Sequence, residues 1–490
     1  MKFKNLFRLP AFLLLVLFLF TLSFRLYFSF QDPGFSSDSA YFHLRQINHF
    51  LFQPEFLFQD PLSYGGRVVL YPPLFHLLMG VLSFGSVFLL KIIPEIFFSF
   101  LVFIIFLICR EITHSNWISL FGAFISSFIP IYLTSTVNTL SVYSLALPLL
   151  FFMLYCSLRL EKPFYLWSFI LSSFILSLSH PLAFLFPFIL AVYFFLLAGG
   201  DIKSSPLKHE AFLFSLFLVF LIGFVIYKKA FFAYGANALW QNAPLNIFLD
   251  TFRPLSFFDL LFGVGFLPLV LGVVGLYYGL SREKRKIVYL FSALILSVFV
   301  LLFFRLMTFN LGLMILGITL SISAAFALHL FFSYLKKTKF ASFHRFFVFL
   351  LLLFIVIFSF FPSYQALSSR EGVSFQTLSD LEWARMHLPR DATILGNVNE
   401  GHLIASLAER KTVLDSNFLL APSPEERLQD VYRVYSGWSS LQALDIVQKY
   451  GIDYIYLSED SKRLYSIEGL KYINDTSCFE REGSFYAVVC

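Results

Sequence analysis

The sequence has few charged residues for its length. Lys, Arg, Asp and Glu make up 13% of its 490 residues, against about 25% in soluble globular proteins. Apolar residues make up 58%, 69 residues are phenylalanine, and the mean hydropathy is +0.77. This composition excludes an ordinary soluble domain. It predicts a membrane protein whose partner is the lipid bilayer, and we expect no nucleic-acid partner.

The sequence also has no evident internal repeat, and no low-complexity tract beyond its Phe-rich segments. Many transporters are built from matching halves with broken helices in corresponding positions, so this absence weighs against a transporter. What the sequence does contain is a series of apolar runs typical of membrane-spanning helices. There are eleven, near 9–30, 88–109, 117–135, 139–158, 164–180, 182–198, 211–230, 260–280, 287–304, 307–332 and 346–362.

A further apolar segment, 71–87, is the doubtful one. The two prolines after Tyr71 suit a short, interrupted helix that lies in the membrane interface or dips back. If this segment does not cross the membrane, the basic clusters around Arg110, Lys203 and Lys336 all fall on the same side. The positive-inside rule then assigns that side to the cytoplasm. We therefore predict an integral protein of the cell membrane, with a cytoplasmic N-terminus and an extracytoplasmic C-terminus.

Charge and pattern change after residue 362. Residues 363–490 carry 12 Lys+Arg and 18 Asp+Glu, a net −6, so the preceding residues carry the remaining 24 and 12, a net +12. In the same region apolar residues become periodic, a capping box is predicted at Ser423, and "DYIYLS" is strand-like. We predict a transmembrane domain over 1–362, with an outer loop at 31–87, and a small extracytoplasmic α/β domain over 363–490.

The cysteines divide between these two parts. They are Cys109, Cys156, Cys478 and Cys490. The first two fall inside apolar runs and are expected to be packing residues. The last two fall in the predicted outer domain, where a disulfide is compatible with an oxidising compartment. A hairpin turn that begins just before Gly483 would instead pair Cys478 with Ala487, so the sequence leaves the bridge open.

Polar residues collect at the predicted outer ends of the spans. They are Asp38, His43 and Arg45 after the first span, Asn138 after the third, His180 after the fifth, and Arg305 before the tenth. Each has an ordinary explanation, as a loop acid, a helix-end hydrogen bonder or a snorkelling anchor. Ionisable groups at membrane depth are nevertheless costly and usually functional. Together they predict one site, and an oxygen ligand near cations suits a phosphate-bearing substrate.

A resemblance to a known family runs through the same residues. The string "DSAYFHLRQI", followed by "FLFQDPLSYGGRVVLYPPLFHLL", resembles the first outer loop of the catalytic subunit of archaeal and eukaryotic oligosaccharyltransferases. In that family an Asp-x-x-Tyr-Tyr-His-x-Arg string precedes Tyr-Pro-Pro. "FRLMTFNLGLMILGI" resembles its late span with an outer-face arginine, and "ILGNVNEGHLIASLAERKTVLDS" resembles its soluble-domain signature. The similarity covers most of the chain in order and extends to the GT-C glycosyltransferases as a class.

The resemblance implies a GT-C membrane glycosyltransferase that transfers a sugar or oligosaccharide from a polyprenyl (dolichyl-type) phosphate or pyrophosphate. The acceptor is a protein, lipid or glycan on the outer face. Asp38 would be catalytic, either as a base or as the sole protein carboxylate on a Mg²⁺ or Mn²⁺ ion, and Arg305 would hold the donor phosphate through its planar fork. Supporting roles would fall to Tyr41, His43 and Arg45 in the donor pocket, and to Asn138, His180, Glu400 and His402 at the acceptor or behind the site.

Two departures from that family bear on function. Its Trp-Trp-Asp-Tyr-Gly signature, which holds the acceptor, falls on Asn397 to Gly401 and keeps only the glycine. Its second acidic motif falls between Pro130 and Arg159, where this chain has no Asp or Glu. Metal dependence and peptide N-glycosylation are therefore both open. An inactive partner subunit of a glycosyltransferase, and a transporter or flippase of lipid-linked sugars, remain as alternatives.

Overall fold

The computed structural model describes residues 3–283, 285–473 and 478–490, and most of them are helical. The helices are α1 (Phe3–Ser29), α2 (Asp38–Phe52), α3 (Leu74–Ser83), α4 (Val87–Thr113), α5 (Asn116–Ser127), α6 (Pro130–Thr136), α7 (Tyr143–Ser157), α8 (Pro163–Ser179), α9 (Leu185–Gly199), α10 (Pro206–Tyr234), α11 (Leu245–Thr251), α12 (Phe257–Asp259), α13 (Phe266–Tyr278), α14 (Lys286–Phe303), α15 (Phe309–Leu335), α16 (His344–Ile355), α17 (Phe361–Ser368), α18 (Phe375–His387), α19 (Gly401–Leu403), α20 (Pro424–Ser436), α21 (Ser440–Tyr450) and α22 (Glu459–Tyr465). The strands are β1 (Gln59–Asp60), β2 (Arg67–Val68), β3 (Thr393–Leu395), β4 (Lys411–Thr412), β5 (Tyr454–Tyr456), β6 (Phe479–Glu482) and β7 (Phe485–Val488).

The chain divides into two compact units, each assembled from three segments. The membrane unit contains Met1–Gln31, Val87–Val225 and Thr251–Arg370, and the sheet unit contains Asp32–Ser86, Ile226–Asp250 and Glu371–Cys490. The predicted division was a single cut after residue 362. The loop after α1 instead belongs to the same unit as the C-terminal segment, because backbone and side-chain bonds join them. One of these is the hydrogen bond from Thr412 N–H to Leu62 O at 2.8 Å.

Long apolar helices build the membrane unit. Among the described residues, seven are long and apolar enough to cross a bilayer, or nine if each of two bent pairs is one span. The seven are Leu9–Ser29, Val87–Thr113, Pro181–Gly199, Pro206–Trp240, Lys286–Phe303, Phe309–Leu335 and Lys339–Ser368. The bent pairs are Asn116–Ser127 with Pro130–Thr136, at 54°, and Phe257–Val264 with Phe266–Ser281, at 110°. This confirms the predicted polytopic helical membrane protein.

Every predicted apolar run coincides with a helix or a bent pair, and two short helices decide the count. α7 has 15 residues and α8 has 17. At 1.5 Å per residue they rise about 22 and 25 Å, less than the ~30 Å hydrocarbon core. The figure of about eleven spans is reached only if these two also cross. α3 has ten residues, which is too short to cross and agrees with the interfacial assignment of 71–87.

α15 lies at the centre of the membrane unit. Its 18-residue apolar window is 100% buried, whereas the window of α10 is 28% buried. Two glycines of α13 let that helix approach α15 closely: a Cβ on Gly275 would lie 2.0 Å from Ser323 O, and one on Gly272 would lie 2.7 Å from Leu320 O. The two helices therefore meet backbone to backbone, as small residues permit in membrane bundles.

A mixed five-stranded sheet forms the core of the sheet unit, with strand order β4-β3-β5-β7-β6. β3 pairs in parallel with β4 and β5, and β7 pairs antiparallel with β5 and β6. This confirms the predicted α/β domain. The capping box expected at Ser423 is wrong, because Ser423 has φ +45° and its side chain makes no capping hydrogen bond. Pro424 does occupy the first helical turn, and Gly451 ends α21 with φ +59°.

Cys478 and Cys490 form a disulfide with a Cα–Cα distance of 5.0 Å. The hairpin register places Ala487 opposite Glu480, so the expected pairing of Cys478 with Ala487 is wrong. The turn begins at Gly483 rather than one residue earlier, and this shift brings the C-terminal cysteine within reach. The other two cysteines are free and buried, as expected of packing residues.

Candidate active site

The carboxylate of Asp38 is held by residues distant in the chain. Asp38 is the first residue of α2, where a negative charge interacts favourably with the helix dipole. Its Oδ1 accepts a hydrogen bond from Leu403 N–H at 2.9 Å, and its Oδ2 accepts one from Ser416 Oγ at 3.2 Å. All three residues belong to the sheet unit. The loop after α1 and the C-terminal segment thus build this part of the candidate site together.

Asp38, His402 and Asp415 form the ionisable centre of the sheet unit. His402 Nε2 lies 3.8 Å from Asp415 Oδ1. Burial raises the pKa of Asp38 above its ordinary value, although positive charge on His402 acts against the rise. Burial alone would also raise the pKa of Asp415, but positive charge on His402 and Arg67 holds it below its ordinary value. Two nearby carboxyl groups with pKa values shifted in opposite directions are typical of acid–base sites.

Asp415 is a fixed anion inside the sheet unit. It is 0% exposed, Arg67 Nη2 donates to its Oδ1 at 2.9 Å, and Ser63 Oγ donates to its Oδ2 at 2.5 Å. Arg67 Nη1 also donates to Leu419 O at 2.9 Å. Because Arg67 and Ser63 come from the loop that follows α2, this ion pair fixes the C-terminal segment against the loop that carries Asp38.

Arg45 and Tyr41, both predicted for the donor pocket, make structural contacts. Arg45 forms a bidentate pair with Asp60, at 2.8 and 2.6 Å. The Tyr41 hydroxyl accepts from Phe35 N–H at 3.1 Å and is 2% exposed, and burial raises its pKa to about 12. Arg45 therefore joins α2 to β1, and Tyr41 closes the turn in front of α2. Their contact with a donor stays a prediction.

His43 is bonded to a second histidine that the sequence interpretation did not single out. His43 Nδ1 and His76 Nε2 are 2.9 Å apart and share a hydrogen bond. His76 is 1% exposed, and burial lowers its pKa to about 3. It is therefore a neutral imidazole at physiological pH, and it joins α3 to α2.

Glu400 is held within the C-terminal segment. Ser458 Oγ donates to its Oε1, and Ser461 Oγ and Asn397 N–H donate to its Oε2, each at 3.1 Å. Glu400 is 1% exposed, and burial raises its pKa to about 7. These contacts connect the segment before α19 to the first turn of α22. Its predicted role at the acceptor stays a prediction.

Gly401 is the one residue that this chain shares with the acceptor signature. A Cβ at this position would lie 2.2 Å from Leu414 O and 2.5 Å from Asp415 Cβ. No side chain fits, because the segment that carries His402 passes directly over the segment that carries Asp415. The glycine is therefore needed for the approach that brings these two ionisable residues together.

The remaining predicted residues lie in the membrane unit. His180 caps the turn after α8, with Nδ1 accepting from Leu182 N–H at 2.9 Å, and its ring packs on Tyr143 at 5.0 Å. Tyr143 also lies beside Thr308, which precedes α15. Arg305 lies three residues earlier, in the left-handed region with φ +55°. His180 and the Arg305 loop are thus linked through Tyr143.

Asn138 adopts φ +56° and is 2% exposed. Its backbone N–H donates to Glu95 Oε1 at 2.7 Å, and Glu95 is in turn paired with Arg25 at 2.7 Å. Neither Glu95 nor Arg25 was singled out from the sequence. The signal was available, because each is a charge inside an apolar run.

The comparisons with known proteins give a fold but no sequence relative. No family model and no curated protein matches the sequence. The structure is similar to archaeal oligosaccharyltransferase AglB from Archaeoglobus fulgidus in complex with an inhibitory peptide and a dolichol-phosphate, with a TM-score of 0.69 and 14% identity, over 100% of this chain and 75% of that chain. It is also similar to ArnT from Cupriavidus metallidurans bound to undecaprenyl phosphate, with a TM-score of 0.56 and 10% identity, over 99% of this chain and 98% of that chain.

The chain has the GT-C fold. The same Archaeoglobus oligosaccharyltransferase has been solved in complex with Zn and sulfate, with a TM-score of 0.64 and 14% identity, over 96% of this chain and 73% of that chain. At such identities the fold is shared, while the residues of the site must be judged one at a time.

The residues around Asp38 do not fit the divalent cation that the resemblance implies. Among the described residues, no group of three or more His, Cys, Asp or Glu is placed to hold a metal ion. Each oxygen of Asp38 already accepts a hydrogen bond from the protein, and Asp415 is paired with Arg67. The carboxylate of Asp38 is thus bonded to protein donors rather than arranged around a cation site.

Proposed function

We propose that this protein is a membrane glycosyltransferase that transfers a sugar or oligosaccharide from a polyprenyl phosphate or pyrophosphate donor to an acceptor on the outer membrane face. The observation that carries the proposal is the GT-C fold over nearly the whole chain. Its structural neighbours include one protein in complex with dolichol-phosphate and one bound to undecaprenyl phosphate. The predicted orientation, with the sheet unit outside, is part of the same proposal.

The chemistry is displacement at the anomeric carbon of the donor sugar. The acceptor oxygen forms a bond to that carbon, the bond from the carbon to the phosphate oxygen breaks, and the bonding electrons leave with the phosphate. The acceptor proton passes to Asp38. The raised pKa of Asp38 favours proton uptake, and His402, held near Asp415, stabilises the carboxylate before transfer.

Arg305 is the proposed partner of the leaving phosphate. Its guanidinium stays charged and offers a planar fork that matches phosphate geometry. Its left-handed backbone supports this role, since non-glycine residues in that region cost of order 1 kcal/mol and concentrate at functional sites. Holding the phosphate stabilises the charge that develops as the bond to the sugar breaks.

Acceptor recognition is expected to differ from that of peptide N-glycosylation. The acceptor signature of the oligosaccharyltransferases is reduced to Gly401, and the carboxylate of Glu400 is bonded to Ser458 and Ser461. The acceptor of this protein can therefore be a glycan or a lipid as well as a protein.

The test is the lipid-linked sugar content of cells that lack this protein. Deletion should cause one lipid-linked sugar to accumulate, and the wild-type chain should return it to the normal level. Asp38→Asn should fail to do so at equal expression. The matched control is Asp445→Asn, which alters an exposed acid of α21 in the same unit and should complement fully. An unchanged lipid-linked pool in the deletion strain would overturn the proposal.

Two observations favour a second candidate, an inactive partner subunit. Both oxygens of Asp38 are engaged by the protein, and the acceptor signature is reduced to Gly401. For such a subunit, Asp38→Asn would complement as well as the wild type, and the chain would co-purify with an intact glycosyltransferase. A flippase would instead move a lipid-linked sugar between leaflets of proteoliposomes with no acceptor present.

A further inference from the structure

Two opposite charges are buried inside apolar helices of the membrane unit, apart from the residues assigned above. Arg25 of α1 is 0% exposed and Glu95 of α4 is 1% exposed, and Arg25 Nε lies 2.7 Å from Glu95 Oε2. Ion pairs at this depth are costly to form, and replacing one by apolar residues is often neutral or stabilising. Stability alone is therefore a weak reason for the pair to be present.

Both members of the pair bind one short segment after the break between α5 and α6. Arg25 Nη2 donates to Thr136 Oγ1 at 3.0 Å, and Asn138 N–H donates to Glu95 Oε1 at 2.7 Å. The Arg25 guanidinium also lies over the Phe98 ring, with its carbon 4.6 Å from the centroid. Each oxygen of Glu95 thus accepts one hydrogen bond, and the carboxylate acts as a clamp between α1 and the segment.

The segment that Arg25 and Glu95 bind has a strained backbone, and the residues that follow it lie near the Arg305 loop. Asn138 has φ +56° and Leu140 has φ +40°, two left-handed residues that are not glycine within three positions. Such a backbone persists only where surrounding contacts hold it. Five residues after Asn138 comes Tyr143, whose ring packs on His180 at 5.0 Å and which lies beside Thr308, three residues beyond Arg305. The chain therefore connects the turn held by Glu95 to a residue that lies near the Arg305 loop.

We propose that Arg25 and Glu95 are positioning residues: their ion pair holds the turn at Asn138, and the turn places Tyr143 and with it the loop of Arg305. This inference rests on the proposed function of Arg305 as the phosphate ligand. The turn at Asn138 has no acidic residue of its own. The proposal explains how a carboxylate nevertheless lies beside this turn, because Glu95 supplies it from the neighbouring helix α4.

The experiment compares two double variants that differ in one functional group. Both Arg25→Met/Glu95→Gln and Arg25→Met/Glu95→Met remove the two charges, and the residues at position 95 are similar in size. Only the amide oxygen of the glutamine can still accept the hydrogen bond from Asn138 N–H. The control is Arg159→Met/Glu111→Met, which removes another ion pair of the membrane unit with side chains 32% and 29% exposed.

The first readout needs no substrate. Ser141→Cys is introduced into each variant and labelled with maleimide; the native thiols Cys109 and Cys156 are buried and the other two cysteines are bonded. We expect the glutamine variant and the control to label within about twofold of the parent, and the methionine variant about fivefold faster or more, since one hydrogen bond no longer holds the turn. Equal labelling of the two double variants would overturn the proposal, as would failure of the methionine variant alone to fold.

The second readout is sugar transfer with the donor found in the deletion strain. The methionine variant should lose about tenfold or more in kcat relative to the glutamine variant, while both keep the unfolding midpoint of the control. Equal kcat values in two folded variants would also overturn the proposal. If the parent transfers no sugar at all, the proposed function fails, and the labelling contrast still decides whether the pair holds the turn.

Discussion

The backbone N–H of Leu403 donates a hydrogen bond to Asp38 Oδ1 at 2.9 Å, across 365 positions of the chain. A motif at the start of α2 is therefore completed by main chain from the C-terminal segment. The carboxylate of Asp38 and the ionisable residue His402, whose charge acts on it, come from segments that only the folded chain brings together. Residues 371–490 alone lack Asp38 and should not transfer sugar.

Replacing Asp38 by Asn should leave expression and membrane insertion nearly unchanged but reduce turnover strongly. The amide keeps the shape and loses the charge that takes up the acceptor proton, and loss of a general base commonly costs about 10² to 10⁴ in rate. Turnover is measured with purified lipid-linked donor. The control Asp445→Asn should stay within twofold of wild type. Equal, mild effects at both positions would leave Asp38 as a structural loop residue.

Two substitutions at Arg305 test the role of its side chain separately from the strain in its backbone. Arg305→Lys keeps the charge, loses the planar fork, and should weaken donor use at full expression. Arg305→Gly removes the left-handed strain, which is of order 1 kcal/mol. It should therefore still fold, yet lose donor use further. Donor KM and the unfolding midpoint are the measurements, and a glycine variant with normal KM would contradict the phosphate role.

Glu400 should make the stability of the sheet unit fall as the pH rises. Its pKa is about 7 in the folded protein, against 4.5 for an ordinary glutamate. The folded state therefore holds a proton that the unfolded chain has released between these values. The stabilising contribution is complete below pH 4.5 and is lost as the pH rises through 7, by up to ~1.4 kcal/mol per unit.

The measurement is the unfolding midpoint of the detergent-solubilised protein between pH 5 and pH 8. Glu400→Gln mimics the protonated form, so its midpoint should vary less across this range than that of the wild type. A variant with the same pH profile as the wild type would assign the dependence to another group.

The Arg67–Asp415 pair should be far more important for stability than an exposed pair of the same unit. Both members are buried, at 3% and 0% exposed, so Asp415→Asn leaves the Arg67 charge uncompensated and should cost about 3–5 kcal/mol. The comparison is Glu371→Gln, which breaks the pair of Glu371 with Arg463, with side chains 79% and 65% exposed. That change should cost less than ~1 kcal/mol. Chemical denaturation compares the two.

Membrane orientation can be tested with single cysteines, because the native cysteines are buried or bonded. Phe52→Cys, at the last residue of α2 with a side chain 86% exposed, should react with an impermeant maleimide in intact cells. Lys337→Cys, exposed after α15, should react only once the cells are opened. The reverse pattern would invert the predicted orientation.

The apolar architecture was predictable because a bilayer imposes a length and a composition on each span. Every predicted run is a helix or a bent pair, and the periodic tail became the α/β unit. Distant polar partners were not predictable, since nothing local marks them. Ser63, Arg67 and Asp415 acquire their roles only through the approach of two segments more than 300 residues apart.

The Arg25–Glu95 pair is a different case. Each charge interrupts an apolar run, which is a signal that the sequence does contain. The predicted site consists of polar residues at span ends, so it does not include these two charges inside spans. The turn of the last hairpin is predicted one residue too early. A shift of one residue in a two-residue turn changes every partner along both strands.

The glycine face of α13 also limits how this protein can move. A single methyl group at Gly275 would lie 2.0 Å from Ser323 O, so the backbones of α13 and α15 are in direct contact with no space between them. The membrane unit is expected to be more flexible at its breaks, where paired helices bend by 54° and 110°. For the proposed sugar transfer, we expect donor entry and product release to proceed by bending at residues 128–129 and at Gly265, around an α13–α15 pair that stays rigid.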